Sequence, residues 1–558
     1  MPKFTMPIGK SDFAKVRTAG DYYIDKTMLI EQITASGAEV TLFTRPRRFG
    51  KSLNMSMLQH FFDCREKSES LFEGLAISKD KELCNSWMNQ YPTILVSFKT
   101  VDATNFQDAV AQLKLVLADL FRSHIYLMDD NRLNNYDIKK FDRILSENPQ
   151  NSDMMDSLSL LTRLLHTHYS NKPVILLIDE YDVPMAKGDT YHYYRDIINI
   201  MRSMYNKALK DNPYIKFAVL TGCLRIAKES IFTGLNNPKI YSILDYGFQE
   251  YFGFTDSEID RLLSDTGFTE YKAKIKQWYD GYHFGNMDIY CPWDVLNYVS
   301  DLQQKAGIEP KNYWANTSGN EIIKQFLESD FNPQPDFEAL LNGRCIKKDI
   351  AEDITYSDLL SSEENLWSVL LMTGYLTVVP ESEVNAEDVS SDKVGVYLKL
   401  VNNEIKDLFS RTVALWFKNK LLKEDRTELF RAIWSGDEET ITDELCGFLG
   451  DSISFYDYHE LFYHAFLTGL LSGVKGITVK SNSETGTGRA DVILQYPRKG
   501  LVAIFEFKSA KSEETMNQKC DEALEQIETR KYSFPFRHNT VFKYGIAFYE
   551  KQCIVKKG

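Results

Sequence analysis

The sequence has no Cys-x-x-Cys pair, few histidines and no apolar run of about 18 residues, and each shortage closes a class of function. Eight cysteines, at 64, 84, 223, 291, 345, 446, 520 and 553, are too scattered for a zinc ribbon or a disulfide framework. Of nine histidines, only His166/His168 and His459/His464 lie close together, and neither pair has a second ligand cluster, so no histidine metal site is expected. Without an apolar stretch of membrane length, no spanning helix is expected. The N-terminal MPKFTMPIGKSDF lacks the layout of a signal peptide, so the expected location is cytoplasmic, with no membrane partner.

Positive charge is also in deficit. Lys and Arg number 65 against 79 Asp and Glu, a net −14, which argues against a chain coated for nonspecific nucleic-acid binding. The deficit is uneven: residues 471–558 carry +5 and residues 1–470 carry −19. A mildly basic C-terminal end on an acidic body permits a local nucleic-acid contact.

What is present suits a soluble multidomain α/β protein: 558 residues, 43% hydrophobic and 26% charged, more than one core can absorb. The runs EVTLF (39–43), TILVSF (93–98), PVILLIDE (173–180) and IKFAVLTG (215–222) read as strands separated by long helical stretches. That order predicts a parallel sheet with helices on both faces. From about residue 255 the pattern turns helical and rich in Tyr and Trp. LWSVLLMTGYLTVVP followed by VGVYLKLVN reads there as a helix feeding a hairpin, compatible with a winged-helix unit. Its tip carries Glu381, Glu383, Glu387, Asp388 and Asp392, so it suits packing or a protein partner better than a phosphate backbone. SGDEE (435–439) marks a junction, and beyond it a small α/β unit follows. The expected division is 1–254 as a P-loop domain, 255–450 as a helical middle region and 451–558 as a C-terminal α/β domain.

RPRRFGKSLN (45–54) follows the first strand and opens a helix. Gly50, Lys51 and Ser52 supply the last turn of a phosphate-binding loop: backbone amides, an ammonium for phosphate oxygens and a hydroxyl for Mg²⁺. Arg45 stands where the first glycine of such a loop belongs, and a side chain there requires negative φ. Arg47 and Arg48 add charge that a triphosphate would favour. VILLIDEYD ends a buried strand with Asp179, suited to hold magnesium-bound water, and Glu180, suited to polarise an attacking water. The plainer reading makes both of them helix caps. Thr221, ending the next strand, is a candidate γ-phosphate sensor, and Arg225 either approaches the same phosphate or forms a surface ion pair.

YYIDKT (22–27), RPRRFGKSLN, LLIDEYD, LTGCLRIAKESIFTGLNN (220–237), WYDGYHFG (278–285) and NYWANTSGN (312–320) together resemble the bacterial AAA-ATPase-like family. Members commonly carry a C-terminal PD-(D/E)XK nuclease-superfamily domain. The resemblance implies a nucleotide-binding fold and runs through most of the chain.

The second chemistry lies in GRADVILQYPRKGLVAIFEFKSA (488–510). Glu506 and Lys508, two apart on one strand, share a face. Asp491, on the preceding strand-like run, can meet them. Two carboxylates on a divalent ion beside a lysine suit phosphodiester hydrolysis. A bland alternative is a Glu–Lys pair at a strand edge. A helix with Glu460 before the pair and one with Gln526 after it resemble the accessory positions of the nuclease core. The combined expectation is ATP and Mg²⁺ at the first site, Mg²⁺ or Mn²⁺ at the second, and nucleic acid as the C-terminal domain's partner. The rival is a nucleotide-dependent switch or scaffold, alone, with a protein partner or as a homo-oligomer, whose nuclease-like domain only binds.

Overall fold

The apolar runs become strands, and the computed structural model arranges those among the described residues in four sheets. It describes residues 4–225, 238–314, 334–352, 354, 362–385, 394–421, 425–450, 460–485, 488–549 and 552–558. The chain divides into two compact units: Met1–Ser318 with Lys347–Ile405, and Gly319–Ile346 with Lys406–Gly558.

In the first unit, β1 (Val40–Thr44), β2 (Thr93–Ser97), β3 (Val174–Asp179), β4 (Ile215–Gly222) and β5 (Pro238–Tyr241) form an all-parallel sheet in the order β2-β3-β4-β1-β5. Every residue of β1 and β3 is buried, as strands covered on both faces require. Helices α1 (Lys51–Phe62), α2 (Phe106–Arg122), α3 (Asn151–His168) and α4 (Tyr194–Leu209) supply the covering layers. Tyr193 and Tyr194 of the aromatic run YHYYRD are buried at the start of α4, so they pack that helix.

A hairpin of β6 (Tyr282–Phe284) and β7 (Met287–Ile289) follows, then α5 (Pro292–Gln304). Tyr279, Tyr290 and Tyr298 join Ile259, Leu262 and Val295 in one core cluster, with Trp278 packed against it. The WYDGYHFG aromatics thus serve packing. Further on, β8 (Ile346–Lys348), α6 (Glu363–Met372), β9 (Leu376–Val379) and β10 (Val396–Leu400) form a helix and a three-stranded sheet in the order β8-β10-β9. The expected helix and hairpin are present. Glu381 and Glu383 lie in a 3-10 turn after β9, whereas Glu387, Asp388 and Asp392 fall outside the described residues. α7 (Asn403–Leu421) starts at the end of the first unit and continues into the second.

At the head of α7, Glu404 is fully buried, and its Oε1 accepts the amides of Tyr313 (2.5 Å) and Trp314 (2.7 Å). Burial, and then the neighbouring Asp294 of α5, push the Glu404 carboxyl up to about 10. Two carboxyls buried side by side resist carrying two negative charges at once, and both are held above the ordinary carboxylate range.

The second unit contains α8 (Thr427–Ser435), α9 (Glu438–Gly450) and α10 (Glu460–Leu471). Gly436, left-handed at φ 77°, stops α8 within the SGDEE stretch. A mixed sheet follows in the order β11-β12-β13-β14-β15, from β11 (Thr478–Thr485), β12 (Gly488–Tyr496), β13 (Leu501–Ser509), β14 (Thr540–Tyr549) and β15 (Gln552–Lys557). The β13–β14 pair is parallel and its crossover is α11 (Met516–Thr529). Cys446 on α9 and Cys553 on β15 bring their sulfurs to 3.7 Å as free thiols. Among the described residues, no helix is long and apolar enough to cross a membrane.

Candidate functional site

The loop between β1 and α1 turns on two left-handed residues, Arg48 (φ 74°) and Gly50 (φ 81°), which curl the backbone ahead of the helix N-terminus. Arg45 is not among the positive-φ residues, so the conformational objection to a side chain at that position does not arise. Its side chain leaves the loop altogether. The guanidinium is fully buried, with Nη1 donating to the carbonyls of Thr44 (2.9 Å) and Tyr241 (2.8 Å). It lies 5.3 Å from the Phe252 ring centroid and 5.2 Å from that of Phe284. Arg45 is a strut of the core, lowered to about 9 by burial.

Lys51 is buried and donates to the carbonyls of Arg45 and Pro46, each at 3.0 Å, with Glu180 Oε1 3.8 Å away. Burial alone would lower its pKa, but Cys223, Glu180, Asp182 and Asp179 hold it above the ordinary value. Asp179, at the end of β3, gathers three hydroxyls. Ser52 Oγ donates to Oδ2 and Thr221 Oγ1 to Oδ1, each at 2.7 Å, and Ser97 Oγ donates to Oδ2 at 3.1 Å. Adjacent parallel strands β2, β3 and β4 end side by side, which brings Ser97, Asp179 and Thr221 together. Glu180 is left-handed (φ 52°), turning its carboxylate toward Lys51.

Two other predicted residues are placed elsewhere. Arg48 stacks its guanidinium 3.9 Å from the Trp293 ring centroid, and Arg225 lies 4.0 Å from Glu352 in ion-pair geometry. Arg47 is exposed. Sequence reasoning missed Ser97 and Asp182. Ser97 was legible as the polar end of the TILVS strand. Asp182, buried, accepts the amides of Cys223 (2.8 Å) and Leu224 (3.0 Å), and burial followed by Glu180 pushes it up to about 6. It ties the turn after β3 to the end of β4, where a Cβ on Gly222 would meet the Tyr181 ring at 2.5 Å.

In the second unit, the β12–β13 register pairs Val492 with Phe505, so Asp491 and Glu506 come next to each other across the ladder. The Phe507 amide donates to Asp491 Oδ2 at 3.0 Å, and the Asp491 amide to Glu506 Oε2 at 3.4 Å. Gln526 Nε2 donates to Glu506 Oε1, and Lys508 Nζ stands 3.5 Å from the same oxygen. Tyr532, unforeseen from sequence, accepts from Gln526 Nε2 at 3.3 Å and is buried. Burial, then Asp491, pushes Glu506 up to about 7 against the pull of Lys508. Glu460 begins α10, but its side chain lies outside the described residues, as does His459.

Both places fit the groups expected of them. Ser52 and Asp179 offer a hydroxyl and a carboxylate beside a lysine, a donor set suited to Mg²⁺ on a nucleotide. Asp491 and Glu506 are hard oxygen donors whose mutual repulsion a divalent cation would relieve. Among the described residues, no three His, Cys, Asp or Glu side chains form a complete metal cage. Solvent and substrate would have to complete the shell, as Mg²⁺ usually allows.

With the loop, the strand-end carboxylate and its hydroxyls assembled, the comparison with known proteins can be set beside them. Residues 7–232 match the predicted AAA-ATPase family. The match covers the AAA-ATPase-like loop, Asp179, Glu180 and Thr221. Residues 458–558 match the PD-(D/E)XK nuclease superfamily, and that segment contains Asp491, Glu506, Lys508 and Gln526. An uncharacterized protein in the vnfD 5′ region of Azotobacter chroococcum mcd 1 is 24% identical over 555 residues, covering 96% of this chain and 94% of the relative. The AAA-ATPase-like and nuclease-like segments thus bear out the resemblance carried by the motifs and support nucleotide binding in the first of them.

Proposed function

We propose that the protein binds ATP with Mg²⁺ in its N-terminal part and that this binding governs a metal-dependent nuclease in its C-terminal part. Residues 1–254 and 451–558 would be the working parts and 255–450 the intervening region. The observation that carries the nucleotide reading is the Asp179 carboxylate holding Ser52 and Thr221 at 2.7 Å each. Lys51 would exchange the two loop carbonyls for phosphate oxygens, and the curled loop would add backbone amides. Thr221 would sense the γ-phosphate through the hydroxyl that it donates to Asp179. Glu180 would accept a proton from, or orient, the attacking water.

At the second site, Asp491 and Glu506 would hold Mg²⁺ or Mn²⁺, which supplies an acidified water and charge neutralisation at the phosphodiester. Lys508 would position the nucleophile or the scissile phosphate, and Gln526, tied to Tyr532, would keep Glu506 in place. The convergence of Asp491, Lys508 and Gln526 on Glu506 supports this reading over a simple strand-edge pair, because Glu506 is 1% exposed.

The test is cleavage of supercoiled plasmid and single-stranded oligonucleotides with Mg²⁺ or Mn²⁺, with and without ATP. Cleavage that Glu506→Ala abolishes, and that ATP alters in the parent chain but not in Lys51→Ala, is the expected result. No cleavage under any condition, with ATP still bound, would replace the nuclease reading by a nucleotide-dependent switch.

A further inference from the structure

Between Glu528 and Glu550 the chain has no acidic residue, yet it carries Arg530, Lys531, Arg537 and Lys543. The loop after α11 within this stretch is held firmly. Tyr532 is buried in the core formed with Ala490, Ile493, Val502, Ile504 and Ile527, and Phe536 packs against the same cluster. The amides of Phe534, Phe536 and Asn539 donate to the carbonyls of Lys531, Ser533 and Phe536 at 3.0, 3.0 and 2.8 Å.

Between the two anchored rings the third aromatic faces water: Phe534 is 62% exposed. A loop with Tyr532 and Phe536 to bury gains nothing from leaving a large apolar ring in solvent. The ring is not bare, however. Arg537 sets its guanidinium 5.4 Å from the Phe534 centroid, while Arg530 and Lys531 are exposed just before it. An exposed aromatic with a stacked cation, on a rigid basic loop, has the chemistry that takes an unpaired base on its face and phosphates at its sides. A paired duplex keeps its base faces stacked on one another and has none to offer such a ring.

The loop also begins at the carboxylate site. Tyr532 accepts from Gln526, which donates to Glu506, and Phe534 follows Tyr532 by two residues, at most about 7 Å of chain. We propose that residues 530–538 form a platform for single-stranded nucleic acid. In it Phe534 stacks an unpaired base against Arg537, Arg530 and Lys531 take neighbouring phosphates, and the strand is thereby delivered to Asp491 and Glu506. The delivery rests on the nuclease reading above; the binding does not.

The test is fluorescence anisotropy of the full chain in EDTA, with a labelled oligothymidylate of about twenty nucleotides and a hairpin duplex as probes. Phe534→Ala is expected to weaken single-strand binding about ten-fold and leave duplex binding unchanged, with Phe534→Trp restoring it. Lys531→Ala is expected to flatten the salt dependence. Thermal unfolding of Phe534→Ala should match the parent, since the ring is outside the core.

Equal single-strand affinity in Phe534→Ala, equal loss for both probes, or no binding by the parent would each overturn the platform. Because no divalent ion is present, the two readings fail separately. Binding lost in Phe534→Ala without any cleavage by the parent removes the nuclease and keeps the platform. Cleavage of single strands by the parent, with single-strand affinity equal in Phe534→Ala, does the reverse.

Discussion

Arg45 is the residue at which the loop pattern and the structure part company. Gly50, Lys51 and Ser52 were legible because their work is local: a turn, an ammonium and a hydroxyl within three positions. The role of Arg45 was not, since its partners Tyr241, Phe252 and Phe284 lie roughly two hundred residues further on and no local pattern names them. Arg45→Gly would restore the usual loop motif and is expected to destabilise the fold by about 2 kcal/mol or more, through the cavity and the lost ring contacts. A lower denaturation midpoint with nucleotide binding retained at low temperature would check this. Lys51→Ala is expected to weaken ATP binding about 10- to 100-fold, the range for a lost charge-assisted contact, as read by calorimetric titration. Tyr532→Phe removes the hydroxyl that accepts from Gln526 and should lower Mn²⁺ affinity about ten-fold, the usual scale for a group that supports a ligand indirectly.

Among the elements, strands were the easiest to read. The four long apolar runs of the first unit all became members of its parallel sheet, because burial on both faces leaves an unbroken hydrophobic signature. Short strands such as β8, with three residues, leave none. Nor could spacing show that the head of α7 carries a carboxyl beside Asp294 of α5, since that pairing is tertiary. Its consequence for stability has a definite sign. Glu404 titrates near 4.5 when unfolded but is pushed up to about 10 in the fold, so the native state holds a proton that the unfolded chain has released. The associated stability is fully present below about pH 4.5 and is lost as pH rises toward 10. Glu404→Gln keeps an acceptor for the Tyr313 and Trp314 amides and is expected to flatten this decline. Urea midpoints for both proteins between pH 5 and 9 would show it, and parallel slopes would contradict it.

For the whole molecule, the sequence pointed to two candidate sites far apart in one chain, and the structure puts their residues in different compact units. The charge asymmetry was visible without coordinates, but the seat of Arg537 against the exposed Phe534 ring was not. If nucleotide state governs the second unit, ATP should change the rate of cleavage in the parent while Glu506→Ala still binds ATP with unchanged affinity. Side-by-side titration and cleavage measurements would separate coupling from coincidence.

The thiols of Cys446 and Cys553 give the second unit a memory of its handling. Their sulfurs are 3.7 Å apart although the residues are 107 positions apart in sequence, and contact with Cys553 lowers Cys446 to about 6. A preparation left in air can therefore acquire a covalent tie between α9 and β15, closing a loop long enough to stiffen the unfolded chain considerably. Fresh and aged samples would then differ in mobility on a non-reducing gel, and any assay of this unit would depend on the age of the sample unless a reductant were present.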